Sequence, residues 1–85
     1  MRKQIDEIDS QIVDLISKRF ELVPEIVRLK KQNNLPVFQP ERERHVFELV
    51  RQKALENKLD SVLVVKIFEL IVSEMKKQQE NFNDY

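Results

Sequence analysis

Residues 5–29 read IDEIDSQIVDLISKRFELVPEIVRL, and their spacing decides the fold. Apolar residues fall at Ile5, Ile8, Ile12 and Leu15, then at Leu22, Ile26 and Leu29. Steps of three and four alternate, which is a heptad seam along one helix. Between Leu15 and Leu22 the count falls on Arg19 instead of an apolar residue. A guanidinium pointing into a helix–helix interface needs an anion, because a buried unpaired charge is too costly to keep. An internal Asp or Glu, a side chain that snorkels to the edge of the seam, or a bound ligand would each meet that need.

The chain of 85 residues predicts one small domain over 1–85, near the lower limit for a self-sufficient core. Fifteen basic and fifteen acidic residues cancel, which argues against nucleic acid as a partner. There is no Cys and a single histidine, His45, so a thiolate nucleophile is excluded and a zinc site is disfavoured. Glycine is absent, leaving little scope for hairpins or phosphate-cradling loops. The first residues, Met1 to Gln4, carry no apolar signal core, and no apolar run approaches a membrane span. The expected setting is the cytoplasm, with no membrane partner.

Outward from the seam, the first helix is expected from about Arg2 to Asn33, with acids near its start and bases near its end as the helix dipole favours. Pro24 removes one backbone hydrogen bond and crowds the carbonyl of Phe20. A bend is expected there, with two shorter helices meeting near Val23 as the alternative. Roughly 30 residues make a rod of about 45 Å, longer than the ~30 Å diameter of a compact chain of this size. A second copy is the simplest cover for the overhanging seam, so a homodimer is expected. Asn33, Asn34 and Pro36 end the rod. The second helix opens with Gln39 as cap and Pro40 in its first turn, with Val46, Phe47, Val50 and Ala54 inward. A turn at Asn57–Leu59 leads to a third helix capped by Asp60. Its stripe is Val64, Phe68, Ile71 and Met75, widened by Val65, Ile67 and Val72, with Gln79 one turn further on. The tail from Asn81 to Tyr85 is expected to fray. The fold class is therefore all-α: three helices with a very long first helix, paired into an intertwined homodimer.

No nucleophile–base set is visible, and His45 lies on the polar side of its helix. The residues able to face inward are cations and polar donors. They are Arg19, Lys30 eleven positions later on nearly the same face, Arg42 and Glu43 in one helix's first turn, Gln79 at the end of a stripe, and Arg2 within reach of a partner chain. Each alone suits a solvated or structural role. Together they suit a small polyanion, such as a dicarboxylate held by arginines.

The pattern Arg2-x-x-Ile5-Asp6-x-Ile8-Asp9, Leu15-x-x-x-Arg19, Ile26-x-x-x-Lys30, Pro36-Val37-x-x-x-x-Arg42-Glu43-Arg44, Leu59-Asp60 and Gln79 resembles the all-helical chorismate mutases from Arg2 to Gln79. The resemblance implies an intertwined dimer with two equivalent sites. It implies rearrangement of chorismate to prephenate, on the route to Phe and Tyr, without cofactor or proton transfer. By that resemblance Arg19 binds one substrate carboxylate and Arg2 of the second copy binds the other. Lys30 and Gln79 donate to the ether oxygen as the catalytic pair, Glu43 accepts from the ring hydroxyl, and Arg42 supports the pocket mouth. The chain departs from the family pattern at three positions. Gln39 stands where an acid often assists at the ring hydroxyl, Met75 where a small hydroxyl residue contacts a carboxylate, and Pro24 where an ordinary helix former is usual. Two other readings remain at this stage. One is an isochorismate pyruvate lyase of the same fold, separable by its product. The other is a non-catalytic helical dimer serving as a regulatory or docking module, for which the combined Arg19, Lys30, Arg42, Glu43 and Gln79 set would be unnecessary.

Overall fold

The computed structural model describes residues 1–82, and its ordered elements are all helical: α1 (Arg2–Glu21), α2 (Val23–Gln32), α3 (Pro40–Glu56) and α4 (Ser61–Asn81). The first two form one rod with a single-residue joint. Leu22 stays in the right-handed helical region at φ −80° and ψ −8°, but its N–H bonds to the Arg19 carbonyl at 3.3 Å, three residues back instead of four. The cause is Pro24, which has no N–H to continue the ladder. The ordinary pattern resumes as the Ile26 N–H reaches the Leu22 carbonyl at 2.9 Å. The expected bent helix and its two-helix alternative thus describe the same feature, a tightened turn within one rod.

Two matching turns follow. The Leu35 N–H bonds to the Lys30 carbonyl at 2.8 Å and the Asn34 N–H to the Lys31 carbonyl at 3.2 Å. Likewise the Leu59 N–H bonds to the Ala54 carbonyl at 2.8 Å and the Lys58 N–H to the Leu55 carbonyl at 3.1 Å. Both are Schellman closures, which place one residue in the left-handed region. Asn34 has φ 55° and Lys58 φ 59°. Asn tolerates that conformation; Lys adopts it at a cost that a glycine would avoid. At the start of α4, Asp60 accepts from the Val62 and Leu63 N–H groups at 2.9 and 3.3 Å, as its capping position predicts.

The core is small and sits where α2 crosses α4. Val23, Val27 and Met75 are buried together, ringed by half-buried Phe20, Ile26, Ile71 and Phe82. Ala54 is buried from α3, and Val46, Phe47 and Val50 are half-buried along its inner face. Val64, Val65, Phe68 and Val72 are half-buried on α4, but Ile67, expected to widen that stripe, is 45% exposed. Asn81 closes α4 as a helix, and Phe82 packs on the core instead of fraying; the rest of the tail lies outside the described residues.

No residue of α1 is buried. Its seam residues Ile5, Ile8, Ile12 and Leu15 are half or more exposed. The chain is 47 Å in its longest dimension with a radius of gyration of 15.0 Å, where a compact chain of this length has about 12 Å. No helix among the described residues is long and apolar enough to cross a membrane.

Candidate active site

The end of α1, α2, the link into α3 with the first turns of α3, and the C-terminal half of α4 surround a cavity of about 390 Å³, a size suited to a small-molecule ligand. It is lined by Arg19, Lys30, Gln39, Arg42, Glu43, Met75 and Gln79, with Lys76 and apolar Leu22, Ile26, Val37, Val46 and Val72. Seven of the eight residues singled out in the sequence therefore share one cavity. Arg2 does not line it and is exposed at the far end of α1. Exposed His45 is also outside it. Among the described residues, no group of three or more His, Cys, Asp and Glu is gathered to hold a metal ion.

Lys30 is fixed at both ends of its residue. Its carbonyl is closed by the turn at Asn34, and its ammonium donates to the Val37 carbonyl at 2.7 Å just beyond that turn. The same ammonium donates to Gln79 Oε1 at 2.7 Å. An ammonium has three donors and no acceptor. This sets the amide orientation, since only the Gln79 oxygen can face Lys30. Gln79 is 5% exposed, lines the cavity, and meets Lys30 through Oε1. Lys30 retains one N–H beyond these two contacts and Gln79 has its amide N–H groups, so the two side chains can donate to one oxygen in the cavity. Burial lowers the Lys30 pKa from its ordinary 10.5, and Glu43 partly restores it.

Arg19 donates to the Met75 sulfur, and its guanidinium lies 6.0 Å from the centre of the Phe68 ring. Neither contact neutralises it. Arg28, Arg44 and Arg51 each pair with a Glu three residues earlier. Arg19 and Arg42 have no ion pair among the described residues. Burial, and then the charge of Arg42, push the Arg19 pKa down, as expected where two cations share one site.

On the carboxylate side, Glu43 forms an ion pair with Lys76 at 2.9 Å. Lys76 in turn lies 4.7 Å from the centre of the Phe38 ring. The sequence reading missed Lys76, although its position three residues before Gln79 puts both on one face of α4. Gln39 makes no side-chain cap to α3, so its amide is left to the cavity. Four cations, Arg19, Lys30, Arg42 and Lys76, thus stand against one carboxylate, Glu43.

A helical frame around such a cavity has the size and charge to suit a compact organic polyanion. The chain belongs to the chorismate mutase type II family, whose sequence model matches residues 1–80. It is 33% identical over 82 residues to the chorismate mutase of Methanocaldococcus jannaschii, covering 96% of this chain and 83% of that protein. It is 26% identical over 80 residues to the 4-amino-4-deoxychorismate mutase of Streptomyces venezuelae, covering 94% of this chain and 78% of that one. It is 28% identical over 82 residues to the T-protein of Haemophilus influenzae, of which it spans only 22%.

Proposed function

We infer that this chain is a chorismate mutase, an isomerase converting chorismate to prephenate in aromatic amino acid biosynthesis. The supporting observation is the Lys30–Gln79 pair, held at 2.7 Å, in one cavity with Arg19, which forms no ion pair among the described residues. The reaction is intramolecular. One ether C–O bond breaks, one C–C bond forms, and no proton is transferred. A site without a nucleophile or general base is sufficient for it. The protein holds a flexible dianion in its folded reactive shape and stabilises negative charge growing on the ether oxygen.

In this reading Arg19 binds one carboxylate, Lys30 and Gln79 donate to the ether oxygen, and Glu43 accepts from the ring hydroxyl. Arg42 steadies the substrate at the mouth, and Gln39 and Met75 complete the wall. Arg2 reaches the second carboxylate from another copy, in an intertwined homodimer with two sites. The exposed seam of α1 supports that pairing, because a row of apolar residues on a projecting rod gains most from burial against its like. A cytoplasmic location, tested by cell fractionation, belongs to the same proposal.

The family and two of the relatives carry the name mutase, so the lyase and the docking module are not favoured. Incubation with chorismate and separately with isochorismate, followed by product identification, is the deciding experiment. Prephenate from chorismate supports the reading. Pyruvate and salicylate from isochorismate, or no turnover of either, overturns it.

A further inference from the structure

Lys76 is the one charged residue of the cavity that the catalytic reading leaves without a role. It is tied to two elements at once. Its ammonium is 2.9 Å from a Glu43 carboxylate oxygen and 4.7 Å from the centre of the Phe38 ring, on the link between α2 and α3. Its side chain is 31% exposed and that of Glu43 20%, so the pair sits at the cavity wall with limited screening by water. Lys30 lines the same cavity, close enough for the Glu43 charge to raise its pKa. Glu43 therefore faces the ligand already compensated by two lysines.

We propose that Lys76 determines specificity at the ring substituent, making this cavity accept a hydroxyl and reject an ammonium there. The proposal rests on the chorismate mutase reading, in which that substituent meets Glu43. A hydroxyl both donates and accepts. It gives its proton to Glu43 and takes an N–H from Lys76, so neither partner is left unmet. An aliphatic amine is protonated at neutral pH, as the side chain of lysine is. It has donors only, and it would be a third cation at one carboxylate, in a cavity that Arg42 also lines. A free carboxylate at position 43 would attract that ammonium; one held by Lys76 does not. The discriminating element is the repulsive charge, with Glu43 unchanged between the two cases.

The test compares kcat/KM for chorismate and for 4-amino-4-deoxychorismate, in which an amine replaces the hydroxyl, across wild type, Lys76→Met and Lys76→Arg. Met keeps an unbranched apolar stem against Phe38 and removes the charge; Arg keeps the charge. Wild type is expected to favour chorismate by about a hundredfold or more, Lys76→Met to narrow that ratio about tenfold through a lower KM for the amine, and Lys76→Arg to retain it. Circular dichroism confirms the fold of each variant. A ratio in Lys76→Met within about twofold of wild type, or no turnover of the amine by that variant, overturns the proposal while leaving the mutase reading in place. Failure of wild type to turn over chorismate removes the mutase reading and this proposal with it.

Discussion

The Lys30 ammonium and the Gln79 amide oxygen meet at 2.7 Å across 49 positions of sequence. This bond joins the end of the long rod to the end of α4 and orients the two donors assigned to the ether oxygen. Each is expected to supply roughly 3–4 kcal/mol of transition-state stabilisation, as oxyanion-hole donors do. Lys30→Ala should lower kcat more than a hundredfold, with the helical circular dichroism spectrum unchanged. A loss of only a few fold would take Lys30 out of that role.

The pH profile has a definite sign. Gln79 does not titrate, and burial lowers the Lys30 pKa below 10.5. Activity should be nearly flat from about pH 5 to 8 and fall on the alkaline side as Lys30 loses its proton. A bound dianion favours the charged lysine, so the alkaline limb of kcat should lie at higher pH than that of kcat/KM. Stability moves oppositely. Between the lowered value and 10.5 the unfolded chain holds a proton that the folded chain has released, so the Lys30 contribution to stability rises with pH across that window. Chemical denaturation at several alkaline pH values, compared between wild type and Lys30→Met, reads this difference.

Sharing of the site between copies is testable by mixing. Arg2→Ala and Arg19→Ala should each be nearly inactive alone. Co-refolded in equal amounts, half of the dimers are hybrids, and each hybrid holds one intact site out of two. About a quarter of wild-type activity should return. Absence of recovery would show that Arg2 and Arg19 act within one chain, or that Arg2 does not act.

The seam itself gives a further prediction. Ile8→Asp places a charge in the middle of an exposed apolar row and should shift sedimentation toward the monomer. An unchanged dimer would mean that this face is not the interface.

Lys58 offers a stabilising change away from the cavity. It sits at φ 59° in the turn between α3 and α4. Lys58→Gly should raise stability by about 1 kcal/mol by relieving left-handed strain, less whatever the unfolded chain gains in freedom. Thermal denaturation of the variant reads the sign.

Most of the fold was legible because helical periodicity is a local property. The heptad steps from Ile5 to Leu29 marked the rod, Pro40 and Asp60 marked two starts, and Asn34 marked a left-handed turn. Lys58 was not legible as the second left-handed residue, because its side chain gives no hint of that conformation; only the turn around it did. The cavity residues were found through their relation to one another. Arg19 and Arg42 also carried a signal that went unused: neither has an acid three or four positions away, whereas Arg28, Arg44 and Arg51 each follow a Glu by three. Lys76 was missed because it adjoins an apolar stripe and reads as the solvated flank of Met75. Its partner Glu43 belongs to another helix, and pairing across helices leaves no mark in spacing. The Met75 sulfur on Arg19 was hidden for the same reason.

That α1 buries no residue fully within its own chain bears on how catalytic output depends on abundance. On the proposed arrangement, a newly synthesised copy is idle until it meets a sibling. When copies are scarce, the rate then grows with the square of their number, and simple dilution is enough to switch the reaction off.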